Sequence, residues 1–463
     1  MIDTAPDNEH RKITPPERNG ISSFIPSITW LSSYQVGDLA QDLLSGLFLA
    51  VLLVPQAMAY ALLAGLPPQV GLYASILPAV LYAFLGTSRY LSIGPSALVS
   101  LLVGEAVARA SASTGVAPTE AALAMAVIVG ITLFVMGILR LGFLVNFISD
   151  PVLVGFTSAA AILIATSQLR NLLGLDIPRG NFAETLRRLD NGIDQTNPVT
   201  LAIGLTALLL LLLAGRWLKG WLERTRIGER GRLFLVQAVP LLVVALSVAT
   251  VWAFSLHERA GVAVVGKLEG GLPPLGLPPW DPQLWLSLLP SGLAISAIAF
   301  VTATAIAKSL AGRRRQHIEP SQEAIALGAA NVAASLTGGY PVGASFSRSA
   351  MSFDTHAATP ASSLVAALLV LVASLAFAPL FQFLPTTVLA ALIIVAVFGL
   401  FNLDAMLRIW RYSRAEGISL LVTFLAVLFV GVDGGIALGA LSGLALYLWR
   451  TSRPRIVIEG RLD

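Results

Sequence analysis

Apolar runs about as long as a bilayer core is thick recur along nearly the whole chain, and no other feature limits its fold so sharply. A membrane-spanning helix needs roughly 20 apolar residues. Such runs extend from Leu43 to Leu63, Ala121 to Leu141, Pro151 to Leu172, Val199 to Trp217, Leu233 to Phe254, Leu284 to Leu310 and Ala361 to Phe381. Shorter ones cover Val70 to Leu85, Ala324 to Leu336, Thr386 to Phe401, Ile418 to Val432 and Ile436 to Trp449. None alternates as the strands of a membrane barrel do. Charged residues make up 12% of the chain, roughly half the share of a soluble domain, too few to cover a water-facing surface of this size. The sequence therefore reads as an all-α integral membrane protein with the lipid bilayer as its main partner.

Two further segments break the pattern. Ser96 to Val107 is apolar but short for a span, and it follows Tyr90-Leu-Ser-Ile-Gly94-Pro95. Phe346 to Phe353 is similar and follows Gly338-Gly339-Tyr340-Pro341-Val342-Gly343. Each is a short half-helix behind an extended, breaker-rich stretch. A matched pair of interrupted segments in two halves of a chain points to a transporter binding site. Counting both gives about fourteen segments, about seven in each half, with the half-helices third and tenth. An odd number per half makes the two repeats inverted.

Loop charges orient this arrangement. Arg216, Lys219, Arg224, Arg226, Arg230 and Arg232 fall on one side, as do Arg313, Arg314 and Arg315, then Arg408, Arg411 and Arg414, then Arg450, Arg453 and Arg455. An excess of Lys and Arg marks the cytosolic side, so both termini are expected there, with the protein multi-pass in the inner (cytoplasmic) membrane. One loop falls on the other side despite Arg170, Arg179, Arg187 and Arg188, where Asp176, Glu184, Asp190 and Asp194 offset them. Residues 1–41 read as a cytosolic tail with room for a short surface helix and without the order of a cleavable signal. Residues 42–452 form the transmembrane domain.

The chemistry available is narrow. There is no cysteine, which excludes disulfides and thiolate sites. His10, His257, His317 and His356 fall in tails or loops and form no metal set. No HExxH, P-loop or paired-carboxylate motif occurs, and Gly343-Ala-Ser345-Phe-Ser347 lacks the closing glycine of a nucleophile elbow. Neither an enzyme nor a cofactor is expected, and the basic residues read as topology signals rather than a nucleic-acid surface. Asp38 and Asp42 precede the first apolar run and are expected at the interface.

The half-helices carry the candidate site. Gly94 and Pro95 break the chain before Ser96 and Ala97; Ser345, Phe346 and Ser347 open the second piece. Free N–H groups at a helix start are electropositive and suit an anion. Inverted repeats would turn the two starts toward each other near the midplane, with the hydroxyls of Ser96, Ser345 and Ser347 as further donors. Close helix packing is the competing use of small residues in a membrane. Arg348 stands one turn into the second piece, where an ionisable residue is a functional candidate by default; the alternatives are snorkelling to water or pairing with Asp354. Gln56 and Tyr60 share one face of the first helix beside Pro55, lining a cavity or bonding between helices.

These stretches resemble the SulP (sulfate permease) family of anion transporters. The likeness is carried by Val54-PQAMAYALLAGLPPQVGLYASILP-Ala79, by Ser92-Ile-Gly-Pro-Ser-Ala-Leu98, and by the run from Ala305-Ile-Ala-Lys308 through Ser321-QEAIALGAAN-Val332 to Gly338-GYPVGASFSRSA-Met351. It covers Gln41 to about Pro454. It implies seven-plus-seven inverted repeats, with a core at about 42–142 and 284–382 and a gate at about 150–255 and 385–450. It also implies elevator-like transport, binding positions at Gln56, Tyr60, Ser96, Ala97, Ser347 and Arg348, and a homodimer. Family members usually continue into a STAS domain, and 453–463 matches about where its first strand begins. Prokaryotic relatives often place an acidic residue in segment eight for coupling to a co-transported proton or sodium. Here Leu284 to Leu310 contains no Asp or Glu, and Thr302 sits near that place.

Secondary transport of a small anion (sulfate, bicarbonate or a dicarboxylate) is the leading expectation. A nucleobase permease of the same fold would need carboxylates in segments eight and ten, where this chain has none and Arg348 respectively. A passive anion channel or membrane motor shares the sequence features of a carrier.

Overall fold

A computed structural model describes residues 26–143, 150–178, 180–222, 224–225, 228–267, 271–314 and 316–452. The expected STAS start at 453–463 and His10 lie outside the described residues. The first half comprises α1 (Ser27–Ser32), α2 (Val36–Leu63), the broken pair α3 (Pro68–Tyr73) and α4 (Leu77–Leu85), strand β1 (Ile93–Gly94), α5 (Ala97–Thr114), α6 (Pro118–Ile138), α7 (Asp150–Leu173), α8 (Phe182–Gly192), α9 (Pro198–Leu213), α10 (Lys219–Leu222) and α11 (Glu229–Ala253). After the single turn α12 (Leu256–Arg259), the second half comprises α13 (Pro282–Arg314), α14 (Pro320–Leu336), β2 (Gly343–Ala344), α15 (Phe346–Asp354), α16 (Ala361–Ala376), α17 (Ala378–Phe381), α18 (Thr386–Phe398), α19 (Leu403–Tyr412), α20 (Arg414–Phe429) and α21 (Val432–Thr451).

The protein is a multi-pass integral membrane protein. By length and apolarity alone, seven of the described helices are able to cross a bilayer, or eight if α8 and α9, bent by 120°, count as one span. Large apolar side chains remain exposed on the outside, among them Leu209, Leu246, Leu286 and Phe429, as lipid contact requires. Two elements differ from the sequence expectation. α5 does not stop near Val107: it runs for 18 residues to Thr114, about 27 Å at 1.5 Å per residue, because Ala108, Arg109, Ala110 and Ala112 are strong helix formers that carry it past the point where hydropathy falls. α2 starts at Val36, inside the stretch expected to be tail.

Helices α2 to α6 pack with α13, α14 and α16, while α7, α9, α18, α20 and α21 pack with one another. The most extensive helix crossing, α6 on α14, depends on glycine. A Cβ on Gly130 would fall 2.7 Å from Val332 Cγ2, and one on Gly328 would fall 2.6 Å from the Phe134 nitrogen. Glycines at such a crossing let backbones approach where no side chain fits.

Two buried carboxylates tie loops to this bundle. Asp42 is not interfacial but wholly buried. It accepts from the Ala358 and Thr359 N–H groups at 2.9 and 3.0 Å and from Thr359 Oγ1 at 2.6 Å, anchoring the turn before α16. Glu323, also wholly buried, accepts from Tyr82 Oη, the Thr87 N–H, Thr87 Oγ1 and the Ser88 N–H. It thereby fixes the turn after α4. A buried carboxylate is tolerable only when hydrogen-bonded in this way.

Candidate functional site

The extended stretches that precede α5 and α15 meet as a two-stranded antiparallel ladder. Ile93 pairs with Ala344 and Gly94 with Gly343. The ladder continues through the Ser345 N–H, which donates to the Ser92 carbonyl at 3.1 Å, and the Ser92 N–H, which donates to Ser349 Oγ at 3.0 Å. Pro95 and Pro341 keep these stretches from coiling, since a proline disfavours helix in the residue before it. Backbone groups outside a helix need partners at membrane depth, and one side chain supplies them here: Asn331 of α14 accepts from the Val342 N–H at 2.8 Å and donates to its carbonyl at 3.2 Å. Tyr340 and Ser100 join β2's approach to α5 through their hydroxyls, 2.8 Å apart.

Glycine sets how closely the stretches approach. A Cβ on Gly343 would stand 2.9 Å from Val99 Cγ2 and 3.4 Å from Ser96 Oγ. Gly94 has φ +155° and faces Arg348, whose Nη2 would be 3.4 Å from an added Cβ. The ladder therefore brings the starts of α5 and α15 onto one short piece of backbone. Neither start is capped: Ser96 and Ser345 both have extended backbone and make no side-chain hydrogen bond to a first-turn N–H group. Ser345 Oγ lies instead 3.3 Å from Ser347 Oγ. First-turn N–H groups without a cap hold partial positive charge.

Arg348 stands behind these starts, wholly buried. Its Nε donates to Ser92 Oγ at 3.2 Å and its Nη1 to Gln56 Oε1 at 3.4 Å. Nη2 has no partner, and among the described residues no carboxylate pairs with this guanidinium. Arg348 thus neither snorkels nor bonds Asp354. The phenols of Tyr60 and Tyr340 lie within electrostatic reach of it. A buried cation without a counter-charge is costly, and an anion would relieve that cost.

The structure places the other expected residues around this charge. Gln56 and Tyr60 are buried on α2; Pro95, Ser96 and Ala97 are buried at the start of α5. Phe346, 56% exposed, and Ser347 face outward at the start of α15, leaving an approach open. Thr302 is half-buried on α13 with its hydroxyl unpartnered. Ala299, one turn earlier on that helix, comes within 4.0 Å of where a Gly343 Cβ would be. Sequence reasoning did not single out Ser92, Ser100, Asn331, Tyr340 and Ser349. A lone amide in the apolar run of α14 is the signal that would have marked Asn331; the role of Ser92 depends on the ladder register.

A family model described as the sulfate permease family matches residues 39–423. Probable sulfate transporter 4.2 of Arabidopsis thaliana is 35% identical over 444 residues, covering 96% of this chain and 64% of that protein. Prestin of Danio rerio is 35% identical over 468 residues, covering 96% and 62%. The chain thus spans less than two thirds of the length of these relatives. Among solved structures, SLC26A9 matches with a TM-score of 0.86 at 24% identity, covering 97% of this chain and 72% of that one. The transmembrane domain of a cyanobacterium bicarbonate transporter, BicA, matches with a TM-score of 0.73 at 20% identity, covering 89% and 98%. At these identities the structural likeness is one of fold.

Proposed function

The chain belongs to the sulfate permease family, and on that premise we propose that it is a secondary transporter of small anions, of the sulfate, bicarbonate or dicarboxylate class. The anion sits between the starts of α5 and α15. The observation that carries this reading is the unpartnered Nη2 of buried Arg348 beside two uncapped helix starts. These are fixed donors with no protein acceptor, the arrangement that favours a small negative solute. Gln56 and Ser92 hold the guanidinium in place, while Tyr60, Ala97, Ser96 and Ser347 surround the anion.

The packing supports an elevator-like mechanism. The helices around the ladder are cross-tied by Asp42 and Glu323, so they move as one piece against the group containing α7, α9, α18, α20 and α21. The anion then travels with its donors rather than being passed between them. The α13 helix has no acidic residue, and Thr302 offers a hydroxyl that does not titrate, so a proton has no carboxylate on that helix to couple through. The loop charges support cytosolic termini in an inner (cytoplasmic) membrane, and the family likeness supports a homodimer.

A zero-trans uptake assay in liposomes tests this. Radiolabelled sulfate, bicarbonate and a dicarboxylate are offered singly, with and without internal counter-anion and with imposed proton or sodium gradients. Saturable accumulation of one class against its gradient is expected. Flux that never exceeds equilibrium under any imposed gradient would refute coupled transport, and uptake of an uncharged nucleobase would refute the anion reading.

A further inference from the structure

A second basic site lies away from the ladder. Where α6 ends, the turn through residues 139–143 folds over the start of α14, and a cavity of about 320 Å³ opens there. Its polar lining is Arg140 from the turn, Lys308 from α13, and Glu319 and Ser321 at the start of α14. Among the described residues, neither the Arg140 guanidinium nor the Lys308 ammonium has a hydrogen-bond or ion-pair partner. Glu319 is 3.9 Å from His317 Nε2, so the two cations against one carboxylate leave one net positive charge. The volume is at the low end for ligand pockets, enough for a small charged group. The cavity shares its face with Arg313 at the end of α13, the side that loop charge marks as cytosolic.

The surface leading to the cavity identifies the source of that charged group. On α6, Ile131, Val135 and Ile138 are exposed at 52%, 45% and 58%. Their spacing puts them on one stripe of the helix. Leu139 at 61% and Phe143 at 52% carry this stripe to the mouth of the cavity. An apolar stripe ending at unpartnered cations has the polarity of a phospholipid, acyl chain along the helix and phosphate at its end. Basic pockets between spanning helices on the cytosolic side bind anionic headgroups.

We propose that this cavity binds the phosphate headgroup of an anionic phospholipid of the cytosolic leaflet, through Arg140 and Lys308. The site is independent of the transport reading. Since α6, α13 and α14 belong to the group that contains the ladder, a lipid held here would bias that group's position in the bilayer.

The test uses the full chain in detergent and short-chain phosphatidylglycerol as probe, with phosphatidylcholine and inorganic phosphate as comparison arms. Binding is followed by native mass spectrometry. Arg140→Gln and Lys308→Gln should each weaken phosphatidylglycerol about fivefold and the double variant about thirtyfold. Arg408→Gln, an equal charge change at an exposed residue elsewhere, should leave it unchanged. All three positions are at the surface, and a monodisperse elution profile verifies that each variant is folded. Phosphatidylglycerol held more tightly than inorganic phosphate supports the lipid. Equal affinity for inorganic phosphate would overturn the lipid assignment in favour of a soluble phosphate. Equal loss in Arg408→Gln, or no loss in the double variant, would overturn the site itself.

Discussion

Replacing Arg348 by glutamine removes the fixed charge of the ladder site while keeping a planar, hydrogen-bonding side chain of similar reach. At an effective dielectric of about 20, a unit charge about 5 Å from an anion contributes roughly 3 kcal/mol, so anion affinity should fall on the order of a hundredfold. Stability should respond in the opposite sense. Two hydrogen bonds, to Ser92 and Gln56, are lost at about 1 kcal/mol each, but an unpaired buried cation costs several kcal/mol. The anion-free variant should therefore unfold at the same temperature as wild type or higher. Substrate separates the two effects. At a hundred times its Kd it stabilises wild type by about 2.7 kcal/mol, and at that same concentration the variant should be stabilised by only about 0.4 kcal/mol. Liposome uptake and thermal unfolding, each with and without anion, measure both quantities. Wild-type uptake kinetics in the variant, or an undiminished anion-dependent shift, would refute the reasoning; so would a collapse in anion-free stability, which would mark Arg348 as structural.

Three further outcomes follow from the geometry. Glu323→Ala should destabilise the protein by about 3–5 kcal/mol, since two N–H groups and two hydroxyls lose their acceptor; thermal unfolding in detergent measures it. Gly343→Val should abolish uptake in protein that still inserts, because even the first added carbon meets Val99, with quantitative immunoblotting of the membrane fraction as control. Burial, then Asp42, pushes the Tyr34 phenol up to about 12 from an ordinary 10. A raised folded pKa stabilises fully below about pH 10 and is lost as pH climbs toward 12, so the α1–α2 junction should loosen in that window. The fluorescence of Trp30, 6.1 Å from the Tyr34 ring, reports this, and the window should vanish in Tyr34→Phe.

The helical elements were legible because each must bury its own backbone bonds in lipid, which leaves long apolar runs in the sequence. The interruptions were legible for the same reason: Gly94, Pro95, Pro341 and Gly343 are conspicuous at membrane depth. Arg348 was legible as a charge where charge is rare. What stayed hidden is pairing. A ladder of two residues on each side has no alternation to read, so nothing announced that Ser92 would face Arg348 or that Asn331 would hold Val342. Asp42 was misread as interfacial because the Thr359 and Ala358 donors that make its burial tolerable lie over 300 residues along. The end of α5 was misplaced because hydropathy falls at Arg109 while helix propensity does not.

The ladder has a consequence for how the chain is made. Its strands come from segments about 250 residues apart, a separation whose closure is entropically slow. Until the ribosome has delivered Gly343 and Ala344, the backbone at Ile93 and Gly94 has no strand to pair with inside the bilayer. The first half should therefore remain incomplete until then, its unpaired amides needing water or other protein groups as partners. A chain truncated before α14 should accordingly be recognised as defective and degraded, however well its individual helices insert.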